Sequence, residues 1–309
     1  MDTEKKKLSP IILFAFNRLA PLKKTIESLL LNEEAKDSIL YIFVDGARIE
    51  KPLEKEKVQA VQSYVKEIKG FKSVYYSFSE QNKGLGNSII QGVGQIINQY
   101  GKAIVLEDDL ILSSNFLSFM NEGLKHYQEN KKVFSICGWG PKIRVPANYN
   151  ANTYFCVRSN SWGWGTWADR WNSVDWELTD WNACKKNKWK FNKWGGSDCF
   201  SMLNDWKNGR NKSWAIRFTY AQFIQDKFSL FPFISKVDNK GFDDDATNCP
   251  RYCRTKWFFE NSEDKTFIYP SEISIRKDIY RNVMWYRNIL VRIYAKLINL
   301  YLNLKYNKK

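Results

Sequence analysis

The sequence holds a single histidine in 309 residues. His126 falls mid-helix by pattern and reads as a surface residue. Cysteine is sparse and irregular. Six cysteines without regular spacing, in a chain this long, do not describe a disulfide framework. Cys249 and Cys253 lie close in sequence, but no second pair and no nearby histidine completes a zinc site. All six thiols are therefore expected reduced, and the compartment cytosolic. Long apolar runs are also missing. The polar N-terminus is followed by a short apolar run ending at Phe16, too short for a signal sequence and far too short to span a bilayer. What the chain does have is positive charge. Its net +15 implies an anionic partner: nucleic acid, nucleotide or acidic lipid. With 44% hydrophobic and 26% charged residues it is globular, and long enough for one large α/β domain or two small ones.

The densest apolar run is 103–106, followed at once by Glu107, Asp108 and Asp109. Such a run reads as a strand buried on both faces, as in a parallel sheet. Its C-terminal edge is where open α/β sheets bind ligands. Three adjacent acids repel one another unless a positive charge sits among them. Two readings follow: an N-cap for the helix beginning near Ser114, or a site for a hard divalent cation that also holds phosphates. The preceding chain favours the second. Strands are expected over 10–16, 39–44 and 73–78, with helices between them, in the rhythm of a parallel sheet with right-handed crossovers. That order gathers Asn17, Arg18, Asp45, Lys83, Gly84, Glu107, Asp108 and Asp109 along one edge.

The second half has a different composition. A helix over 115–128 and a strand over 133–137 lead into a zone holding eleven of the thirteen tryptophans. At its centre is Ser161-Trp-Gly-Trp-Gly-Thr-Trp167. Trp alternating with Gly makes neither a good helix nor a good strand interior, so an aromatic loop is expected. Flat apolar rings with a polar N–H suit sugars, and Trp162 and Trp164 are the candidates. Most of the other tryptophans are expected to fill a second core. A helix over 214–226, a strand over 231–234 and an acidic loop over 241–247 follow. From Arg276 to Lys309 there are nine Lys or Arg against one acid, Asp278, about half of the chain's net charge. Ile279, Val283, Tyr286, Leu290, Ile293, Leu297, Tyr301 and Leu304 recur at spacings of three and four. One long amphipathic helix is expected, suited to an anionic membrane surface. The same stripe would also serve packing on the domain or on a partner chain, leaving a homodimer open.

Taken in order, these residues resemble the GT-A superfamily of nucleotide-sugar glycosyltransferases, most of all the N-acetylglucosaminyltransferase I type and related bacterial polysaccharide enzymes. The likeness covers about 8–250. Its most specific element is Leu106-Glu-Asp-Asp109, which matches the Glu-Asp-Asp form of that superfamily's metal motif. The resemblance implies an α/β fold with a mostly parallel sheet over 1–260. A nucleotide half (8–130) and an acceptor half (131–260) precede a helical tail (261–309). It implies a nucleoside-diphosphate sugar donor, a UDP-sugar, with Mn²⁺ or Mg²⁺ on Asp109. Phe16, Asn17, Arg18, Asp45, Lys83, Gly84, Glu107 and Asp108 are then expected around the donor, and Trp162, Gly163 and Trp164 around a saccharide or lipid-linked acceptor.

Two departures stand out. Trp214 is followed by Ala215 where the eukaryotic enzyme has its basic Asp, and Asn248 stands where related sequences have a histidine. The general base is sought instead among Asp243, Asp244 and Asp198, with Asp244 first, and fixed positive charge from Arg18, Lys83 or Arg217. Inversion at the sugar is implied by the resemblance alone. The expected setting is bacterial surface polysaccharide assembly, with the protein cytoplasmic and peripheral on the inner face of the membrane. A nucleotidyltransferase is the enzymatic rival, but it would carry a Gly-rich loop after the first strand, where Asn17-Arg18-Leu-Ala stands. A membrane-docked binding protein is the other rival. No nucleic-acid partner is expected, because half the charge sits in the tail and no recognition motif is present.

Overall fold

The computed structural model describes residues 8–242, 252–253 and 255–306. The first half alternates as the sequence suggested: β1 (Ile11–Ala15), α1 (Leu19–Leu30), β2 (Ile39–Val44), α2 (Glu54–Glu67), β3 (Ser73–Phe78), α3 (Leu85–Tyr100) and β4 (Lys102–Glu107). β1 lies between β2 and β4, and β3 flanks β2, every pairing parallel. β1 is buried along its whole length, and β4 from Ala103 to Leu106. That is why both are written as unbroken apolar runs. α3 turns Ile89, Val93, Ile96 and Ile97 onto one side of this sheet and ends on Gly101 in the left-handed region.

The remaining elements are β5 (Leu110–Leu112), α4 (Phe116–His126), β6 (Val133–Cys137), β7 (Thr153–Cys156), β8 (Trp164–Trp167), α5 (Ala168–Asn172), α6 (Trp181–Lys186), α7 (Lys188–Gly195), α8 (Cys199–Lys207), α9 (Trp214–Ile224), β9 (Phe228–Pro232), β10 (Val237–Asn239), α10 (Lys277–Trp285) and α11 (Ile289–Tyr306). Eight strands form one sheet in the order β3-β2-β1-β4-β8-β6-β9-β7, and β5 pairs with β10 apart from it. The sheet is parallel through its first four strands and mixed beyond, since β8 runs antiparallel to both β4 and β6. The α/β class with a C-terminal helical tail is thus the fold. His126 is exposed, stacked on Tyr269.

Three expectations change. The Trp-Gly segment forms a strand from Trp164 onward. Gly165 permits it: a Cβ there would stand 2.9 Å from the Ala103 carbonyl and 3.1 Å from Met120, so the glycine lets α4 sit close on the sheet. The strand placed over 231–234 is Phe228–Pro232, and Phe233 leaves the ladder to donate its N–H to Asn152. The tail is two helices. Tyr286 bonds to the Lys142 carbonyl, and Asn288 accepts the Val291 N–H at 2.9 Å, capping α11 anew. The apolar stripe is divided accordingly. Ile279 and Val283 of α10 are buried in the main core, whereas Leu290, Ile293, Leu297, Tyr301 and Leu304 of α11 face outward.

Candidate active site

β1 and β4 are neighbours, so the turn after each emerges at the same sheet edge. Arg18 stands at the start of α1, and its Nη2 lies 2.7 Å from Asp108 Oδ1 and 2.7 Å from Asp109 Oδ2. The Phe16 backbone N–H donates to Asp108 Oδ2 at 3.3 Å. Burial lifts the Asp108 carboxyl to about 6, with Arg18 pulling against it. Burial, with the charges of Asp109 and Asp108, pushes Glu107 to about 8. Burial opposes the charge on Arg18, but the two aspartates hold its pKa above the ordinary arginine value. Among the described residues Arg18 is the cation that bridges Asp108 and Asp109, and it offsets the repulsion of the three acids.

Gly241 presses on the same carboxylate. A Cβ there would lie 2.3 Å from Asp109 Oδ2, and the Lys240 N–H donates to the Asp109 carbonyl. Among the described residues no group of three His, Cys, Asp or Glu could hold a metal ion. The donor set is all oxygen, with Arg18 on one side of Asp109 and Gly241 crowding the same carboxylate. Among the described residues it offers too few ligands for a cation held by protein alone, and it fits a hard cation that Asp109 would share with a diphosphate. Asp243 and Asp244, the expected bases, lie outside the described residues. Asp198 is paired with Arg158 at 2.9 Å and only 5% exposed. Arg217 is buried too, donating to the Trp176 carbonyl and stacked on Trp206, so it supplies no charge at this edge.

Asp45 ends β2 and ties down the glycine loop. Its Oδ1 accepts the N–H groups of Gly46 and Lys83, and its Oδ2 accepts that of Gly84 at 2.9 Å. Gly84 sits at φ +75°, which this close return of the chain requires. Lys83 is placed beside Asp45 by its own backbone, and its Nζ reaches Gln91 at 3.4 Å. Asn17 precedes Arg18 and is partly exposed at the same edge. A cavity of about 480 Å³, lined by Gly46, Arg48 and Ser79 among others, adjoins this corner.

The expected acceptor residues separate. Trp162 is partly exposed and meets Trp139, Phe242 and Trp257 edge to face at 5.0–5.7 Å. Gly163, at φ +64°, lets the chain turn under it. Trp164 does not reach the site. It is 1% exposed and stacked on Trp214 and Trp171 in the core, because it alternates to the opposite sheet face from Gly165. Trp162 and Phe242 line a cavity of about 750 Å³, which also takes in Trp139, Ala215 and residues of α10 and α11. Of the aromatics packed around Trp162, Trp139 lies between two glycines, Gly138 and Gly140, and nothing in the sequence marks Trp257.

The fold and site together define an α/β protein with an acidic, arginine-bridged edge. No protein-family model matches the chain, and no curated protein matches it. Among solved structures it is similar to the mannosyltransferase PcManGT from Pyrobaculum calidifontis, solved with GDP-Man and Mn²⁺. The TM-score is 0.35 with 7% identity, over 72% of this chain and 73% of that one. It is similar to a UDP-glucose pyrophosphorylase complexed with UDP-glucose, at TM-score 0.35 and 15% identity, over 75% of this chain and 92% of that one. It is also similar to the glycosyltransferase GlyE of Streptococcus pneumoniae TIGR4, at TM-score 0.34 and 10% identity, over 72% of this chain and 44% of that one. The functional reading is carried by the site's own geometry.

Proposed function

We propose that the protein is a glycosyltransferase that moves a sugar from a UDP-sugar to a saccharide or lipid-linked acceptor, with inversion at the anomeric carbon. One observation carries this: Arg18 bridges Asp108 and Asp109 at the sheet edge, next to the glycine loop that Asp45 holds in place. Fixed positive charge, carboxylate oxygens and a glycine-rich backbone at one edge suit a diphosphate bound with a cation. Asp109, with the donor's phosphate oxygens, would hold Mn²⁺ or Mg²⁺. When bound, the ion offsets charge that builds on the departing diphosphate. Arg18 and Lys83 orient the phosphates, Asp108 and Glu107 border the sugar nucleotide, and Trp162 with Gly163 shapes the acceptor side. The acceptor hydroxyl gives its proton to a carboxylate, for which Asp244 or Asp243 is the assignment.

We place this reaction at the inner face of the membrane, in polysaccharide assembly. The support is α11, whose outward face carries Leu290, Ile293, Tyr294, Leu297, Tyr301 and Leu304, each about half exposed or more. Among the described residues no helix is long and apolar enough to cross a membrane. The nucleotidyltransferase reading is disfavoured by the short turn after β1, where only Phe16, Asn17 and Arg18 precede α1. The test is a screen of nucleotide sugars with Mn²⁺, read by thermal shift and by released nucleotide. A UDP-sugar is expected to raise the melting temperature and release UDP, with both effects lost in EDTA. A chain that neither shifts with nor turns over any nucleotide sugar would refute the assignment, and release of pyrophosphate from UTP with a sugar phosphate would turn it to the rival.

A further inference from the structure

The 750 Å³ cavity is lined by four cations, Arg158, Arg287, Arg292 and Lys296, and by no acidic side chain among the described residues. Arg158 is neutralised by Asp198 at 2.9 Å. The other three have no carboxylate partner among the described residues. Arg292 reaches Ser197 Oγ at 2.9 Å. Arg287 lies over Gly196, where a Cβ would meet its own Cβ at 3.0 Å, so the glycine lets the α10–α11 corner seat closely. That seating buries Arg287 Nη1 with no hydrogen-bond partner. The indole Nε1 of Trp139, in the same lining, is buried and unpartnered too. Buried donors are rarely left unmatched. Here two of them share a cavity with three positive charges that have no carboxylate partner among the described residues, and an oxyanion would serve them all.

We propose that this cavity binds a phosphoryl group carried by the acceptor. A phosphate ester brings a charge near −2 and three acceptor oxygens, which matches this lining better than the single charge of a carboxylate. The position suits an acceptor. Phe242 lines the cavity, and the residue before it, Gly241, abuts the Asp109 carboxylate. Trp162 stands between the two regions and offers a face to a sugar. α11 gives the cavity Arg292, Lys296 and Asn299 from its inner side and keeps its apolar side outward. Only the word acceptor rests on the glycosyltransferase reading; the anion site stands on its own observations.

The experiment titrates inorganic pyrophosphate into the full chain in EDTA, by calorimetry. Removing one partner of a charge-assisted contact lowers affinity about tenfold or more. Arg287→Gln is expected to do so, and so is Lys296→Gln at the exposed rim, where packing is not disturbed. Parent-like binding in both cavity variants overturns the proposal, because the phosphate would then sit elsewhere. Two sources of the phosphate are then separated. A saccharide bearing an alkyl phosphate should be a better acceptor than the same saccharide without it, and this preference should vanish in Arg287→Gln. If phosphatidic acid vesicles displace pyrophosphate while the acceptor's phosphate makes no difference, the ligand is a membrane headgroup and the proposal fails. Pyrophosphate binding without any nucleotide-sugar turnover would instead refute the glycosyltransferase reading and leave the anion site standing.

Discussion

A Cβ at position 241 would stand 2.3 Å from Asp109 Oδ2, while Arg18 holds the same oxygen from the other side at 2.7 Å. The carboxylate thus lies between a guanidinium and a backbone. Gly241→Ala is expected to displace it by a substantial fraction of an ångström and to lower donor turnover by about a hundredfold. Steady-state kinetics at saturating Mn²⁺ would show this, with the melting temperature in EDTA nearly unchanged. Asp109→Asn keeps the shape and removes the charge. Turnover with metal should fall to near background. In EDTA the unfolding free energy should change by less than about 1 kcal/mol, because Arg18 keeps Asp108 and one of three mutually repelling acids is gone. A variant that retains most of its turnover at saturating donor would end the assignment of Asp109. The local part of this site was legible from sequence because each residue lies within three positions of the end of an apolar strand: Arg18 after β1, Asp45 after β2, Asp109 after β4. The role of Gly241 was not, because its contact with Asp109 spans more than a hundred residues and exists only in the folded chain.

Elements show the same division. β1, β2 and β4 announce themselves because strands in the centre of a parallel sheet are apolar nearly throughout. β8 does not, since its sequence alternates Trp with Gly, and only its neighbours explain that. Trp164 fills one sheet face against Trp171 and Trp214, and Gly165 vacates the other for α4. Gly165→Ala should therefore be an overpacking variant. A loss of about 1–3 kcal/mol in urea unfolding is expected, although alanine is the better residue in an unconstrained strand. An unchanged midpoint would mean that α4 does not bear on the sheet as described. The break between α10 and α11 was written in Asn288, a capping residue ahead of a fresh apolar run. The continuous apolar spacing concealed it, because that spacing is the same in one helix or two.

At the scale of the whole molecule the two tail helices do different work. α10 completes the main core through Ile279 and Val283. Removing the entire tail would therefore damage the fold and say little about the membrane. α11 can be tested without that confusion, because Leu290 and Leu297 are 74% and 61% exposed and hold nothing in place. Burying a leucine side chain in an apolar phase is worth about 1.5–3 kcal/mol, and two introduced carboxylates add repulsion from anionic lipid. The double variant Leu290→Glu/Leu297→Glu should melt as the parent does and bind nucleotide as the parent does. Its partitioning onto vesicles containing phosphatidylglycerol should fall by at least about tenfold, since each 1.4 kcal/mol is a factor of ten. It should lose transfer to a membrane-borne acceptor while keeping transfer to a soluble one, because the cavity behind α11 is lined from the helix's other side. The competing occupant is a second copy of the chain. Sedimentation decides between them: a parent that is dimeric without lipid, and becomes monomeric in the double variant, would make the face a subunit interface. A monomeric parent that pellets with vesicles only when the two leucines are intact would make it the surface through which the protein meets the membrane.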